Sequence, residues 1–381
     1  MITKFVAPEI IFGEEAIQQT GESFLRLGAQ RVLVVSDHGV AEAGWAEKAM
    51  NSLKDASLTY VSYFEATTNP QIKEVEKGAQ IYQENECDAV LGVGGGSALD
   101  VAKSIAILVS NGGNIEDYEG IDKIKKPLPP TIMISTTSGS GSEVSQFAII
   151  LDPVKKKKMT IVSKSLVPDI AIIDPFTLMT KDSLLTAATG LDVLTHAIEA
   201  YVSVAATPLT DVQAIQSMEL VEQYLRPSVA SKTNLEAKKA MAMSSLQAGL
   251  AFSNAILGAV HAMSHAIGGQ YKLSHGEINS ILLPHVMEFN FIASPERFCH
   301  IGSIFCKLNV TEKRLDLGRA AITAIRNLAD DIGAPKTLRE AGLKKPDYSL
   351  MADIALNDAC MVTNPRDITK KDIEQLLQDA Y

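Results

Sequence analysis

The residues of this chain with the clearest potential for chemistry are an aspartate and four histidines in its C-terminal half. Asp192 and His196 lie four positions apart in the segment ATGLDVLTHAIEAY, and His261 and His265 have the same spacing in LGAVHAMSHAIGGQYKLSHGE. Residues four positions apart share one face of a helix. His275 follows near the end of the second segment, after two consecutive glycines. The pattern predicts two helices that each present two polar groups on one face.

These side chains are of the types that bind a transition metal. Neutral imidazoles and a carboxylate are good ligands for Zn²⁺ or Fe²⁺. Both segments are otherwise apolar, so the polar groups would be buried, and a buried carboxylate among imidazoles needs a partner such as a cation. A single buried histidine is more often a hydrogen-bonded core residue. Two pairs and a further histidine favour a metal site, and we assign His38, His285 and His300 no part in it.

A glycine-rich loop in the N-terminal half suits a phosphate group. The segment LGVGGGSALDVAKSIAIL predicts a strand that ends at Val93, a turn at 94–97 and then a helix. Glycines let the backbone approach a ligand closely and adopt positive φ, and the first N–H groups of a helix favour an anion. The pattern is not GxGxxG, because the three glycines are contiguous and follow the third predicted strand. Taken by itself, the loop is compatible with phosphate binding or with a tight turn that binds nothing.

A second loop, TTSGSGSEVS at 136–145, follows another predicted strand and is rich in small hydroxyl residues. Such a loop can wrap a diphosphate or a ribose, or it can be a flexible surface loop. Two loops of this kind after parallel strands place ligand binding at the carboxyl edge of the sheet and favour a dinucleotide. Asp37 ends the first predicted strand. Its carboxylate is either an acceptor for an adenosine ribose, which would favour NAD over NADP, or an ordinary solvated side chain.

The elements that must position these groups differ between the two halves of the chain. Strand and helix patterns alternate in the first half, which is typical of a parallel sheet covered on both faces. The predicted strands are Arg31–Asp37, Leu58–Phe64, Asp88–Val93, Thr131–Thr136 and Asp169–Asp174, with a hairpin of FAIILD and MTIVS inserted, and the predicted helices are Val40–Lys54, Gln71–Glu86 and Ala98–Ser110.

Helical periodicity dominates after Asp174, in segments rich in Ala, Leu and Met. The predicted helices include Ser183–Val204, Leu209–Tyr224, Leu235–Asn254, Val260–Gly268 and Glu277–Phe291. Asp182 or Ser183 suits the N-cap of the first helix. We therefore predict an α/β dinucleotide-binding domain with a parallel sheet over residues 1–181. An all-α metal-binding, catalytic domain would follow over residues 182–381, with a cleft between the two.

Length and composition exclude several classes of protein. A chain of 381 residues with 46% apolar and 21% charged residues suits two globular domains with full cores. The net charge of −10 argues against a nucleic-acid partner, and the lysine run at 155–158 is typical of a solvated turn. The four cysteines include no CxxC pair, and we see neither a signal-peptide pattern nor a membrane-spanning apolar run. We therefore expect a cytoplasmic protein.

The same segments resemble the iron-dependent (group III) alcohol dehydrogenases, which include lactaldehyde reductases, propanediol dehydrogenases and butanol dehydrogenases. The resemblance extends through nearly the whole chain and is carried by GGGSALDVAK, TTSGSGSEVS, ATGLDVLTHAIEAY, GAVHAMSHAIGGQYKLSHG and CMVTNPRDIT. The two histidine segments are its most specific part, because both have the family spacing. The chain departs from the family at Lys181 or Asp182 and at Ser274, where members often have Pro, and at Ser264, where they often have Ala. None of these removes a ligand, but Ser264 and Ser274 could alter the hydrogen bonds of the ligands.

The resemblance implies a role for each site residue. The metal ligands would be Asp192, His196, His261 and His275, with Fe²⁺ as the metal and Zn²⁺ as the alternative. His265 would line the site, either as a catalytic proton relay or as a hydrogen-bonding neighbour of the ligands. For NAD, the implied residues are Gly94, Gly95, Gly96 and Ser97 at the pyrophosphate, Thr136, Thr137 and Ser140 beside it, Asp37 and Asn69 at the adenosine end, and Lys158 at the nicotinamide-side ribose.

The implied activity is the interconversion of short primary alcohols or diols and aldehydes by NAD(H)-dependent hydride transfer. The apolar residues Phe252, Ile256 and Leu257 near the ligand segments favour such substrates. One alternative is a polyol oxidoreductase resembling glycerol dehydrogenase, which usually has fewer metal ligands. Another is an NAD- and metal-using lyase resembling dehydroquinate synthase, which would need several basic residues where only Lys272 lies near the ligands. A third is a non-enzymatic metal- or nucleotide-binding module.

The partner expected for this protein is a small-molecule alcohol or aldehyde. We expect no nucleic acid and no membrane among its partners, because the chain is acidic and has no long apolar run. We also expect a homo-oligomer, either a dimer or a larger assembly.

Overall fold

A computed structural model describes residues 4–306 and 314–381 of the chain. The described residues form two compact units. The first unit is Val6–Thr180, and the second is Lys181–Tyr381 together with the described residues Lys4 and Phe5. Both glycine-rich loops therefore belong to the first unit, and the two histidine segments belong to the second.

A parallel sheet forms the centre of the first unit. The strands are β1 Glu9–Phe12, β2 Arg31–Val35, β3 Thr59–Tyr63, β4 Ala89–Gly94, β5 Gly120–Ile121, β6 Thr131–Ser135, β7 Phe147–Asp152, β8 Lys157–Val162 and β9 Ile170–Ile173. Six of them pair in the order β1-β9-β6-β4-β2-β3, and every pairing is parallel. Because β4 lies between β2 and β6, the glycine-rich loop leaves the middle of the carboxyl edge of the sheet.

Helices cover both faces of this sheet. They are α1 Thr20–Arg26, α2 His38–Glu42, α3 Trp45–Asp55, α4 Ile72–Glu84 and α5 Gly96–Asn111. Successive strand residues point to opposite faces, so Leu33 and Val90 join the core beneath α4 and α5, while Val32 and Leu91 join the core beneath α1 and α3. The central strands are buried on both sides, which explains their continuous apolar sequence. The predicted α/β class is confirmed.

The structure corrects the predicted elements of this unit in three places. The predicted helix at Val40–Lys54 is two helices, α2 and α3, because Gly44 adopts a φ of 83° that interrupts the helix. Strand β1, which pairs with β9, was not predicted. The inserted hairpin, β7 with β8, is antiparallel as predicted, but it lies with β5 in a separate three-stranded sheet.

All regular secondary structure in the described residues of the second unit is helical, as predicted. Its helices are α6 Ser183–Val202, α7 Pro208–Ala230, α8 Leu235–Ala255, α9 Ala259–Gln270, α10 His275–Asn290, α11 Pro295–Cys306, α12 Arg314–Asp331, α13 Tyr348–Leu356 and α14 Lys370–Asp379. Asp182 is the N-cap of α6, because its carboxylate accepts a hydrogen bond from the Leu185 N–H at 2.7 Å. This confirms one of the two predicted caps.

Helix α6 is the central helix of the second unit. It packs against α7, α8 and α10, and α9 packs against α10 and α13. A helix that is apolar on every side must be buried, and nearly every residue of α6 beyond its first turn is buried. The polar residues Asp192, His196 and Glu199 of α6 therefore lie inside the protein. In the described part of the chain no single helix is long and apolar enough to cross a membrane; only α8 and α9 taken together pass that test, and they are bent by 98°.

Candidate functional site

Three helices bring most of the predicted metal ligands together. Asp192 lies on α6, His261 lies on α9, and His275 is the first residue of α10. One ligand atom from each of the three lies within 4.8 Å of the other two. His261 Nε2 is 3.7 Å and His275 Nε2 is 4.0 Å from Asp192 Oδ1. With metal–ligand bonds of about 2.0–2.2 Å, these separations suit donors that share one cation.

His196, the fourth predicted ligand, lies beside this group of three. Its ring stacks on the His261 ring, with centroids 4.5 Å apart and an angle of 20° between the planes. Its ring also stacks on Phe252, again at 4.5 Å. Asp192 and His196 therefore lie in the same buried region, as their spacing predicted. Binding of the metal by His196 stays a prediction.

Glu199, which the sequence analysis did not single out, holds His261 in place. Its Oε2 is 2.6 Å from His261 Nδ1, and its Oε1 accepts the Val260 N–H at 2.7 Å. A carboxylate bonded to one ring nitrogen orients the other nitrogen toward a metal. Glu199 could have been found from its position in the sequence, because it lies seven residues after Asp192 and therefore on the same face of an apolar helix.

The other predicted ligands also have hydrogen-bonding neighbours. Ser264 Oγ lies 2.9 Å from His275 Nδ1, so Ser264 contacts a predicted ligand, and its influence on metal binding stays a prediction. The fully buried Asn279 places its Nδ2 2.6 Å from Asp192 Oδ1, 3.1 Å from His261 Nε2 and 3.2 Å from His275 Nε2. Asn279, which was also missed, therefore stands where the three ligand atoms converge.

Burial and neighbouring charges have opposite effects on the pKa values of the predicted ligands Asp192 and His261. Burial alone would raise the pKa of Asp192, but the imidazoles of His196, His275 and His261 hold it well below its ordinary value. Burial alone would lower the pKa of His261, but hydrogen bonds and charges from Asp192 and Glu199 raise it to about 9. A proton and a cation compete for the Nε2 lone pair of His261. Buried carboxylates and imidazoles that attract positive charge form a suitable environment for a divalent cation.

His265 lies next to the ligand group and faces a second carboxylate. Its ring is parallel to the His275 ring within 10°, at a centroid distance of 5.6 Å. Its Nδ1 is 2.9 Å from Asp358 Oδ2. His265, Asp358 and Cys360 form a second close group, but burial raises the pKa of the Cys360 thiol well above its usual value. Because only a thiolate is a strong ligand, this group is a weaker candidate for a metal than the first.

The two glycine-rich loops of the first unit lie side by side beyond β4 and β6. The Thr136 N–H donates to the Gly94 carbonyl at 2.9 Å. A Cβ atom added to Gly96 would lie 2.7 Å from Ser140 Cβ, which is closer than such atoms can approach. We expected positive φ to be one reason for these glycines, but 94–96 are not among the residues with positive φ. At Gly96 the close approach of the second loop is therefore the reason.

Other predicted cofactor residues lie at the same edge. A Cβ atom added to Gly95 would lie 3.3 Å from the Thr137 side chain. The Asp37 carboxylate caps α2, and its second oxygen would lie 3.4 Å from a Cβ at Gly94. Ser97 Oγ donates to the carbonyl of residue 68 at 2.9 Å, which places Ser97 beside the segment that contains Asn69.

Lys158, the remaining predicted cofactor residue, lies on β8 close to a half-buried carboxylate that the sequence analysis missed. This carboxylate is Asp100 on α5, which accepts hydrogen bonds from Ser142 Oγ at 2.7 Å and from the backbone of β7. Burial raises the pKa of Asp100 to about 6, while the positive charges of Lys103 and Lys158 oppose the shift. The lysine run is therefore a solvated turn only in its exposed first half, and the second half begins β8.

Comparisons with known proteins cover the whole of this architecture. Residues 7–175 match a family model described as iron-containing alcohol dehydrogenase, and residues 186–381 match the C-terminal model of the Fe-containing alcohol dehydrogenase family. The NAD-dependent methanol dehydrogenase of Bacillus methanolicus is 38% identical over 380 residues, which cover 100% of both chains. The 1,3-propanediol dehydrogenase of Citrobacter freundii is 39% identical over 99% of this chain and 98% of its own.

Solved structures show the same fold. A crystal structure of a 1,3-propanediol oxidoreductase matches with a TM-score of 0.97 and 38% identity, covering 100% of both chains. An alcohol dehydrogenase from Oenococcus oeni matches with a TM-score of 0.97 and 37% identity, also covering 100% of both chains.

Proposed function

Because the chain belongs to the iron-containing alcohol dehydrogenase family, we propose that it interconverts short primary alcohols or diols and their aldehydes by hydride transfer with NAD(H). The observation that carries this proposal is the convergence of Asp192, His261 and His275 inside an apolar helical unit. Relatives are named methanol dehydrogenase, 1,3-propanediol dehydrogenase and lactaldehyde reductase. The substrates in these names are small alcohols and an aldehyde, which supports the proposed substrate class.

The proposed metal ligands are Asp192, His196, His261 and His275. The fit rests on three close donor atoms, those of the buried Asp192 and His261 and of the half-buried His275, and on the chemistry of the set, since one carboxylate with imidazoles suits Fe²⁺ and Zn²⁺. Membership of an iron-containing family favours Fe²⁺, and Zn²⁺ is the alternative because ligand type does not separate the two. When bound, the divalent cation would lower the pKa of an alcohol hydroxyl or polarise a carbonyl, and NAD would take up the hydride.

Apolar residues around the histidines support a small substrate. Phe252 packs on the His196 ring and is buried, and Leu257 in the turn after α8 is also buried. Such surroundings exclude water from polar groups and strengthen their electrostatic interactions. They offer few partners for a strongly charged substrate.

We assign NAD to residues 1–181 and the metal to residues 182–381. The proposed pyrophosphate site is the turn of Gly94, Gly95, Gly96 and Ser97 at the start of the 16-residue helix α5, where N–H groups favour an anion. The other proposed contacts are Thr136, Thr137 and Ser140 beside the pyrophosphate, Asp37 and Asn69 at the adenosine end, and Lys158 at the nicotinamide-side ribose. A carboxylate at Asp37 would repel a 2′-phosphate, which favours NAD over NADP.

The proposed setting is a cytoplasmic homo-oligomer that uses neither nucleic acid nor a membrane. The net charge of −10 supports the absence of a nucleic-acid partner. Light scattering during size-exclusion chromatography tests the assembly, and a monomer at working concentration would contradict it.

A panel assay tests the proposed function. Short alcohols, diols and aldehydes are offered with NAD(H) and with NADP(H), to anaerobically prepared protein with and without added Fe²⁺. We expect NAD-linked turnover of short primary alcohols that chelation abolishes and Fe²⁺ restores. Turnover of none of these compounds, or full turnover after complete metal removal, would contradict the proposal.

A further inference from the structure

A buried carboxylate–imidazole pair lies beside the proposed metal ligands. His265 Nδ1 and Asp358 Oδ2 are 2.9 Å apart although the residues are 93 positions apart in the chain. Both side chains are only 7% exposed. The other oxygen of Asp358 accepts the Cys360 N–H at 2.8 Å. The carboxylate is thus fixed by the backbone on one side and directed at the imidazole on the other.

This contact determines which nitrogen of His265 carries the hydrogen. An ionised carboxylate can only accept hydrogen bonds; Asp358 Oδ1 accepts the Cys360 N–H, and Oδ2 lies 2.9 Å from His265 Nδ1. The hydrogen of a neutral His265 therefore lies on Nδ1, and Nε2 keeps its lone pair. The ring face is held as well, because it stacks on the His275 ring.

We propose that Asp358 is a positioning residue that keeps His265 in the orientation and tautomer needed to accept the substrate proton. This inference rests on the proposed alcohol dehydrogenase function. In oxidation, bound NAD⁺ would take up the hydride of the alcohol carbon, and His265 Nε2 would accept the hydroxyl proton directly or through water, so that a carbonyl remains. The Nδ1 proton stays in its hydrogen bond, where the carboxylate of Asp358 stabilises the imidazolium. In reduction the same proton returns to the carbonyl oxygen.

Capping of the backbone does not explain the contact. Asp358 is the N-cap of the short 3₁₀ segment Ala359–Thr363, but that role uses only Oδ1. Asp347 is a useful comparison, because it caps α13 by accepting the Leu350 N–H at 3.0 Å, is exposed and contacts no histidine among the described residues. Capping therefore does not explain why Asp358 Oδ2 points at His265.

Asp358→Asn tests the proposal with little change in shape. If the amide oxygen keeps the Cys360 N–H, the NH₂ group faces His265 Nδ1 and forces the hydrogen onto Nε2. In either amide orientation the carboxylate charge is lost. We expect kcat to fall roughly 100-fold, the order of a general acid–base contribution. Metal content, NADH affinity and thermal stability should change little, and Asp347→Asn should have no effect on kcat.

A double-mutant cycle separates positioning of His265 from a general structural role. Single-turnover NADH formation is measured for Asp358→Asn, for His265→Ala and for the double variant. We expect Asp358→Asn to slow hydride transfer only when His265 is present. An equal loss in the His265→Ala background, or full kcat in the single variant, would overturn the proposal.

A second variant covers the case in which Asp358→Asn does not fold. Asp358→Glu keeps the carboxylate but lengthens the side chain, so its loss of kcat should be smaller and should again disappear without His265. A loss that persists in the His265→Ala background would overturn the proposal. If the unaltered enzyme does not oxidise alcohols with NAD⁺, the proposed function itself fails. If the unaltered enzyme is active and the cycle is additive, only the role of Asp358 fails.

Discussion

Glu199 offers a sharp test of how the proposed metal ligands are oriented. Both of its oxygens are used, Oε2 at 2.6 Å from His261 Nδ1 and Oε1 at 2.7 Å from the Val260 N–H. Glu199→Gln keeps the size of the side chain but replaces one oxygen by an NH₂ group. If the amide oxygen stays on the Val260 N–H, the NH₂ group faces His261 Nδ1, and the ring must move its hydrogen to Nε2. If the oxygen faces His261, two donors meet at Val260 instead.

The size of the effect follows from burial. Glu199 is 4% and His261 is 1% exposed, so water cannot relieve the conflict between donors. A buried donor without an acceptor costs about 1–3 kcal/mol, which corresponds to roughly 5- to 150-fold in an equilibrium constant. Partners of metal-binding histidines typically contribute about 10- to 100-fold to metal affinity. We therefore expect Glu199→Gln to weaken metal binding by about 10- to 100-fold.

The assay is competition with a chelator of known affinity, for Zn²⁺ in air and for Fe²⁺ under anaerobic conditions. The matched control is Glu219→Gln, which removes the same charge from an exposed position on α7. Unchanged affinity in Glu199→Gln would refute the orienting role of Glu199. An equal loss in both variants would show that net charge, and not the contact with His261, sets the affinity.

The other predictions concern the proton on His261, the packing of the loops and a buried charge in the first unit. In the metal-free protein the pKa of His261 is raised from 6.5 to about 9. Protonation of His261 therefore stabilises the folded, metal-free protein. This stabilisation is complete below the unfolded-state pKa of 6.5 and is lost as the pH rises through about 9. A cation must displace this proton, so the apparent Zn²⁺ affinity should rise up to about tenfold per unit between about pH 6 and 8, and an affinity independent of pH would contradict this. Gly96→Ala should weaken NADH binding roughly tenfold in a fluorescence titration, because the new Cβ would lie 2.7 Å from Ser140 Cβ and force the two loops apart. Adding Ser140→Gly to the same chain should restore part of the affinity. Unaltered NADH binding in Gly96→Ala would show that the close approach of the loops does not matter for binding. Lys103→Met removes the hydrogen bonds from the buried amine to Ser145 and to the β7 backbone and should lower the free energy of unfolding by roughly 3 kcal/mol, and an unchanged denaturation midpoint would disprove this.

Local spacing explains what could be predicted from the sequence. Asp192 and His196 share a helix face whatever surrounds them, and so do His261 and His265. The apolar strands also predicted a parallel sheet from local sequence, because continuously apolar strands are typical of a sheet that is buried on both faces. The N-cap at Asp182 is also a local feature. These predictions depend on a few neighbouring residues and not on the complete fold.

Contacts between distant segments account for part of what was missed. Asp358 meets His265 from 93 positions away, and Asn279 meets Asp192 from 87 positions away. No periodicity links such residues, because tertiary packing alone brings them together. Strand β1 was missed because its four residues form an edge strand, half-exposed or exposed, without the apolar run of the central strands. The break between α2 and α3 was missed because the sequence does not show that Gly44 adopts a positive φ.

The most direct test of the central proposal is to remove one ligand and measure metal, turnover and cofactor binding in the same sample. We expect Asp192→Ala or His261→Ala to lose the metal in elemental analysis and to lose NAD-linked alcohol oxidation, because the remaining donors cannot hold the cation. NADH binding should persist, since the proposed nucleotide residues lie in the other unit. A variant that retains full metal content and full turnover would contradict the proposed site.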